Sequence, residues 1–290
     1  MYRWEERIDL GPDSLLWRWA GDQRIAFLGA TIGLLQLMHP AIGAGVLEHS
    51  NFFGDPAGRV FRSLPRILGT VYDGPSADAT GRTVRDFHTD IKGVDADGRR
   101  YHALDPETYW WAHATFQFMA EQVADRFDGH RLTVAERERL YREGVEWYRR
   151  YAVSDRVVPP TRADFQIEWD RVCTEVLEMN AAVEFVLETI DKPGPLRLPR
   201  PYGFAAPVLR VPAVRKLAFE PVRVSALGGL PPIVRERFGI PWTRRDQREL
   251  DALERAVRHG WRYVPEALRW HPTARAAWRR VRADSGRAAA

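Results

Sequence analysis

The sequence predicts an all-α fold, a single large helical domain that spans residues 1–290 and contains at most a short β-hairpin. Apolar side chains recur with the 3.6-residue period of a helix through most of the chain. Residues typical of helix starts and stops bound these segments. Strand candidates are few. The clearest, Arg99–Leu104, follows the turn-like sequence "DADG" and can pair with residues near Val94.

Two predicted helices in the N-terminal third carry the residues of most interest. Ile25–Met38 is apolar on nearly all sides and should end before Pro40, because proline disfavours helical backbone in the residue that precedes it. The sequence "RTVRDFHTDIKG" (residues 82–93) predicts a helix that ends at Gly93. That helix would place on one face Val84, Phe87, His88 and Ile91.

The clearest helix of the chain follows Asp105, a natural N-cap, with Pro106 in its first turn and Gly129 as its stop signal. Thr133 and Glu136 then form a capping box, which predicts the start of another helix. Further helices are predicted after Thr161 and over Ala181–Ile190, Val211–Phe219, Pro232–Phe238, Thr243–His259 and Pro272–Ala283.

The proline-rich stretch at residues 191–207 is the best candidate for an internal boundary. It separates a motif-bearing part, about residues 25–180, from a C-terminal helical part, about residues 208–284. The composition does not change across this stretch. We therefore expect one domain rather than two.

The composition excludes several functional classes. Cys173 is the only cysteine, which rules out an intrachain disulfide, a Cys₄ zinc site and a C-x-x-C-H motif, and fits a reducing cytoplasm. The N-terminus lacks the apolar core of a secretory signal, and the 14 residues of Ile25–Met38 are too few for a membrane span. The 43 basic and 39 acidic residues are interleaved. We expect a cytoplasmic protein with no nucleic-acid partner and no integral membrane segment.

The eight histidines do not follow the spacing of common metal sites. None has an acidic residue three positions earlier, as Glu-x-x-His di-iron sites require, and His-Glu-x-x-His does not occur. The Gly-x-Ser-x-Gly elbow and the glycine-rich phosphate and dinucleotide loops are also missing from the sequence. What remains is a pair of histidines on apolar helical faces, His88 and His113.

Each of these two histidines has two interpretations. A single imidazole on an apolar helical face is most often a hydrogen-bonded core residue. A neutral imidazole in an apolar helical wall is also how a haem iron acquires its proximal ligand. A haem further needs cations for its propionates, which Arg59, Arg62 and Arg85 could supply. It also needs an apolar slot, which some of the 11 tryptophans and 13 phenylalanines could line.

Two stretches of the sequence resemble a known family. They are "LLQLMHPAIGAGVLEHSNFFGDPAGRVFRS" (residues 34–63) and "VRDFHTDIKGVDADGRRYHALDPETYWWAHAT" (residues 84–115). Both are similar to the signature of a helical haem-protein family that includes the rubber oxygenases (latex-clearing proteins) and the ER-bound oxygenase mpaB. The similarity covers about residues 25–180, and the order and spacing of the motifs are more specific than any one of them.

The resemblance implies an all-α domain that encloses a pocket for a non-covalent haem b, with His88 as the proximal ligand of the iron. The family's distal arginine–basic–threonine segment is similar to Arg59, Arg62 and Ser63, which become the candidate catalytic residues. Two positions depart from the rubber-cleaving members. Where those members have a lysine, this chain has Arg62, whose side chain stays protonated and is a very poor iron ligand. Where they have a threonine, this chain has Ser63. Rubber is therefore not the expected substrate.

We therefore expect a haem b-dependent oxygenase or oxidase that uses O₂ on an apolar small molecule. His88 is favoured over His113 as the axial ligand because Arg85, a cation for the propionates, lies one turn earlier on the same face. His113, together with Trp110 or Trp111, would support the site.

The stretch from His39 to Ser63 should form one wall of the pocket, made of a helix end, a turn and an arginine-bearing helix. His39 would cap the apolar helix or hydrogen-bond near the haem. The alternative is a plain helix stop followed by solvated arginines.

Two other functions stay open, namely a non-catalytic haem carrier or sensor and a helical binding protein without haem. The sequence indicates neither the substrate, the sixth ligand nor the oligomeric state.

Overall fold

Helices make up most of the described chain, as predicted. The computed structural model of the protein describes residues 7–50, 53, 56–192 and 212–288, with side chains described outside 56–61, 212–218 and 285–288. In chain order the helices are α1 (Leu15–Trp19), α2 (Gly29–Leu37), α3 (Pro40–His49), α4 (Pro56–Tyr72), α5 (Ala77–Asp86), α6 (Pro106–Gln122), α7 (Val134–Arg149), α8 (Arg162–Arg171), α9 (Ala181–Asp191), α10 (Pro212–Gly229), α11 (Pro232–Arg237), α12 (Arg244–Gly260), α13 (Glu266–Arg269) and α14 (Pro272–Ala288).

The sheet is the short hairpin that the sequence predicts. Strand β1 (Lys92–Val94) pairs antiparallel with β2 (Arg100–His102), and Lys92 lies opposite His102. Gly98 turns the chain between the strands with a φ of 81°, a left-handed conformation that favours glycine. Within the described residues the fold is thus all-α with a single hairpin.

The predicted capping residues occupy their positions. The Asp105 side chain accepts a hydrogen bond from the Glu107 amide at 3.0 Å, and Gly129, with a φ of 73°, ends the segment that extends α6. The Thr133–Glu136 capping box starts α7, and the Thr161 side chain caps α8. These local signals act within one turn of the chain, so they can be read from the sequence.

The predicted helix over residues 82–93 is wrong in its second half. Helix α5 ends at Asp86, His88 lies in the turn that follows it, and Gly93 lies in β1. The cause is hairpin pairing, because the Ile91 carbonyl accepts a hydrogen bond from the Ala103 amide at 2.8 Å. This pairing requires extended backbone where the apolar period predicted helix.

The chain from Ile25 to His49 also differs from the expected single helix and turn. A 3₁₀ segment, Gln23–Leu28, leads into α2, and Pro40 occupies the first turn of a new helix, α3, instead of a turn. The two helical segments meet at 98°. Proline lacks the amide that a helix interior needs, yet it fits the first turn of the next helix, so it both stops α2 and starts α3.

A predicted helix boundary is corrected in the C-terminal half. The helix predicted over Val211–Phe219 continues to Gly229 as α10, with Pro221 inside it. The proline-rich boundary predicted at residues 191–207 lies mostly outside the described residues. No single helix among the described residues is long and apolar enough to cross a membrane, although the bent pair Gln23–Leu37 and Pro40–His49 meets the length and composition criteria.

Close helix contacts fix the position of α5. A side chain at Gly81 would place its Cβ 2.2 Å from the Arg150 carbonyl oxygen, so α5 touches the end of α7 directly. The Arg150 guanidinium in turn donates to the Thr70 carbonyl of α4 at 2.6 Å. Helices α4 and α5 pack against each other as a helical hairpin. The three helices are therefore joined at one point.

The C-terminal helix α14 closes the fold against its N-terminal part. The His271 amide donates to the Gly21 carbonyl at 2.8 Å, and the Arg280 side chain donates to the Tyr72 carbonyl at the end of α4. Trp278 packs edge-on against Trp17, with ring centroids 5.3 Å apart. Helix α4 is thus held by the last helix of the chain as well as by α5.

The contact at Gly81 generates the first prediction. Gly81→Ala should destabilise the protein by about 1–3 kcal/mol, because the new methyl group meets a backbone carbonyl that cannot move aside without shifting α7. Urea unfolding followed by circular dichroism measures the change. Gly33→Ala in α2 is the matched control, since nothing lies within 4 Å of the added atom and the helix should gain about 0.5–1 kcal/mol. Equal stability of the two variants would contradict the prediction.

Candidate functional site

His88 lies just after α5, where its imidazole is oriented by the helix it leaves. Its Nδ1 is 2.8 Å from the Val84 carbonyl oxygen, four residues earlier. Since a carbonyl only accepts, Nδ1 carries the proton and the lone pair of the neutral ring lies on Nε2. The ring also packs edge-on against Tyr109 of α6, with centroids 5.6 Å apart. One nitrogen therefore fixes the ring while the other has the electronic form of a metal ligand.

Cationic side chains lie beside this turn. The Arg66 guanidinium stacks on Phe87, 5.1 Å from the ring centroid, and Phe87 is the residue directly before His88. Arg62 lies on α4 four residues before Arg66, a distance of about 6 Å along the helix. Helix α4 thus carries a row of arginines, Arg59, Arg62 and Arg66, of which Arg66 lies beside the His88 turn.

The other predicted cation and distal residues have different surroundings. Arg85 is half-buried and pairs with its neighbour Asp86 at 2.7 Å. Arg62 and Ser63 are exposed on α4. The Arg59 side chain lies outside the described residues. The structure therefore brings His88 and the α4 arginines onto one helical hairpin and leaves the roles of Arg59, Arg62 and Ser63 as predictions.

Tyr109 links the His88 turn to the interior. It is buried, and its ring packs against Tyr151 at 5.4 Å and Tyr148 at 6.2 Å. Burial raises the pKa of the Tyr109 phenol far above its ordinary value, so this residue stays protonated at neutral pH. Tyr109 gives His88 an uncharged, aromatic support.

His113 lies in the centre of the aromatic core. Its Nε2 donates to the Gly144 carbonyl at 2.8 Å, and the closest aromatic ring, that of Trp147, lies 4.8 Å away. Trp110, Tyr148 and Tyr151 also contact the ring, which is almost fully buried. Burial lowers the pKa of His113 to about 4. A macrocycle could reach this imidazole only if the surrounding rings moved.

His39 and Trp111 form a third group, at the junction of α2 and α3. Their rings stack with centroids 6.5 Å apart, and the Trp111 indole donates to the Leu35 carbonyl at 2.9 Å. His39 is the N-cap residue of α3, and its side chain makes no capping hydrogen bond to that helix. Burial lowers its pKa to about 4, and its Nδ1 has no partner among the described residues.

Two contributors to the His88 site were missed in the sequence, namely Arg66 and Tyr109. The signal for Arg66 was available, because Arg59, Arg62 and Arg66 follow the i, i+3, i+7 spacing of one helical face. The signal for Tyr109 was not, since its contact with His88 depends on how α6 meets the end of α5. Cys173 is buried, and burial raises the pKa of its thiol to about 12, as expected for an inert core cysteine.

An acidic cluster elsewhere in the described chain is linked to a neighbouring arginine. Carboxylate oxygens of Glu220, Asp246 and Glu249 lie within 4.8 Å of one another. Arg223 pairs with both Glu220 and Asp246, and Asp246 also closes the capping box of α12. Arg223 thus pairs with two of the three carboxylates and joins α10 to α12.

An imidazole fixed by a carbonyl, next to a row of arginines on a helical hairpin, defines a helical protein with a candidate cofactor site. Residues 17–259 match the family described as "ER-bound oxygenase mpaB/B'/Rubber oxygenase, catalytic domain", and the chain belongs to this family. The resemblance seen in the sequence is thereby confirmed over more than four fifths of the chain. Comparison with the curated proteins and with the solved structures gave no match.

The two buried histidines generate a prediction for the pH dependence of stability. Because the pKa of each is lowered from 6.5 to about 4 in the folded state, the unfolded chain binds more protons between these pH values. Stability should therefore fall as the pH drops, by about 2 kcal/mol for each histidine between pH 7 and pH 5.

Urea unfolding at a series of pH values tests this prediction. His113→Gln and His39→Gln should each be less stable than the wild type at pH 7 but lose less stability on acidification. The exposed His49 provides the control variant, His49→Gln, which should keep the wild-type slope. If the free energy of unfolding fell equally with pH in the wild type and all three variants, burial of the two imidazoles would not be the cause of the acid destabilisation.

Proposed function

We propose that the protein is a haem b-dependent oxygenase that acts on an apolar small molecule, with His88 as the axial ligand of the iron. The observation that carries this proposal is the hydrogen bond from His88 Nδ1 to the Val84 carbonyl, 2.8 Å long. Metal-bound histidines commonly donate their second nitrogen to a backbone carbonyl, which fixes the tautomer and strengthens the ligand. Membership of an oxygenase catalytic-domain family supports the reaction class.

The surroundings of His88 fit a haem better than those of His113. His88 is only partly buried and lies between exposed Phe87 and buried Tyr109, so a planar apolar group can approach its turn from the surface. Aromatic rings enclose His113, and its protonated Nε2 is bonded to Gly144. The lone pair of His113 therefore lies on Nδ1, inside the core.

A bound haem supplies a redox-active iron at which dioxygen is activated. The residues of this chain would orient the haem and shield it from water. We propose that Arg62 and Arg66, with Arg59 before them on α4, bind the two propionates, while Phe87 and Tyr109 cover the apolar ring. A guanidinium is a very poor iron ligand, so Arg62 acts through charge and hydrogen bonds. Tyr109 and His113 are uncharged at neutral pH and keep the interior behind the site apolar.

The proposal predicts a contrast between two histidine variants. His88→Ala should lose most of its haem, and added imidazole should partly restore binding by filling the vacated position. His113→Ala should retain haem at lower stability, since it loses packing and a hydrogen bond. The Soret band and the pyridine haemochrome of protein reconstituted with haemin report haem content, and acid–acetone should extract the pigment.

Three outcomes decide between the alternatives. Haem retained in His88→Ala and lost in His113→Ala would transfer the axial role to His113. A wild-type protein that stays colourless after reconstitution would make it a helical binding protein without haem. Haem binding without O₂ consumption in the presence of reductant and a panel of apolar substrates would favour a carrier or sensor.

The row of arginines generates a further prediction. Arg62→Ala and Arg66→Ala should each release haem faster, because the propionate loses a charged partner at a cost of about 1–3 kcal/mol. Transfer of haem to apomyoglobin measures the rate. Arg171→Ala is the control, because Arg171 is an exposed arginine of α8 that pairs with Glu168 at 2.7 Å. If both variants transferred haem at the rate of the control, these arginines would be solvated surface residues without a role in haem binding.

A further inference from the structure

The C-terminal part of the chain has a strong excess of positive charge. Between residues 258 and 282 the sequence holds seven arginines and a single acidic residue, Glu266. This segment thus contributes +6 to a chain whose formal charge is +4 in total. The remainder of the chain is therefore slightly acidic, and the net positive charge of the chain comes from this segment.

The arginines of this segment are ordered mostly by groups that do not neutralise them. Arg269 donates to the carbonyls of Val264 and Arg262, both at 2.6 Å, and Arg275 donates to the Ala267 carbonyl at 2.8 Å. Arg262 donates to the Tyr263 hydroxyl at 2.8 Å. Carbonyl and hydroxyl oxygens satisfy the donors of a guanidinium but leave its charge in place. Glu266 pairs with Arg282, at the edge of this group.

Two large apolar side chains stand exposed among these arginines. Tyr263 is 75% exposed and Leu268 is 63% exposed. The Arg262 guanidinium lies 4.8 Å from the Tyr263 ring centroid, and Arg275 donates to the carbonyl of Ala267, the residue directly before Leu268. We call the five residues Arg262, Tyr263, Leu268, Arg269 and Arg275 the C-terminal basic surface.

We propose that the C-terminal basic surface docks the protein on membranes that contain anionic phospholipids. Guanidinium groups bind phosphate through paired hydrogen bonds, and basic side chains near an anionic leaflet are attracted to it. A tyrosine has an apolar ring and a polar tip, which suit the headgroup region, and Leu268 supplies an apolar side chain that can enter it. Nucleic acid would use the same charges but would give no reason to expose Leu268.

This surface shares no residue with the site at His88 and follows the family match in the sequence. It lies after residue 259, where the match ends. The proposal therefore does not depend on haem binding. It places the protein at the interface where apolar small molecules concentrate.

Co-sedimentation of the full-length protein with lipid vesicles tests the proposal. The protein should sediment with vesicles of equimolar phosphatidylcholine and phosphatidylglycerol, much less with phosphatidylcholine alone, and less as salt is raised. Arg262→Gln should weaken binding roughly fivefold, since one basic residue near an anionic surface contributes about that factor. Tyr263→Ser combined with Leu268→Ser should weaken it by about tenfold.

Matched controls use exposed residues elsewhere. Val134→Ser combined with Ile167→Ser removes two exposed apolar side chains, and Arg245→Gln removes an exposed arginine that pairs with Glu249 at 2.8 Å. Both controls should bind vesicles like the wild type.

Several results would overturn the proposal. They are equal binding to neutral and anionic vesicles, no vesicle binding at all, or unchanged binding in the Tyr263 and Leu268 double variant. Preferential binding to duplex DNA over anionic vesicles would also overturn it. So would a dimer in analytical ultracentrifugation that only the double variant dissociates, because the surface would then bind a second copy of the chain.

Discussion

The direct contact between α5 and the end of α7 is the constraint on which the arrangement around His88 depends. A glycine at position 81 lets the α5 backbone rest on the Arg150 carbonyl, and the Arg150 side chain reaches on to the Thr70 carbonyl of α4. One residue thereby contacts both halves of the helical hairpin. Because α5 is fixed there, its last turn ends at a defined place, and the Val84 carbonyl is available to the imidazole of His88.

Behind this hairpin the interior is aromatic and neutral. Tyr109, Tyr148 and Tyr151 stay protonated because burial raises the pKa of each phenol, and His113 stays neutral because burial lowers its pKa. The charged arginines lie on α4, at the other side of the turn. His88 thus lies between uncharged aromatic rings and the Arg66 side chain, an arrangement consistent with the cofactor proposed above.

Local signals in the sequence predicted much of the fold. Asp105, Gly129 and the Thr133–Glu136 pair act within one helical turn, so their positions were correct. The end of α5 was missed because pairing between β1 and β2, not the apolar period, decides it. The start of α3 at Pro40 was missed because the same residue that stops one helix also suits the first turn of another.

The candidate site could be predicted only in part. The order of the motifs indicated His88 and the α4 arginines, and it indicated the family, which the comparison confirmed. The orientation of the imidazole could not be predicted, because it requires the chain to leave the helix after Asp86 and turn back towards Val84. The separation of His113 from His88 likewise depends on where α6 and α7 cross, at Gly144.

The attachment of α14 to the end of α4 has a consequence for biosynthesis. The Arg280 side chain and the Tyr72 carbonyl are 208 residues apart in the sequence, so this bond cannot form until residue 280 has left the ribosome. The helix that carries the arginine row is therefore synthesised long before α14, which completes its support. A nascent chain that stops before α14 would hold this hairpin without its last contact.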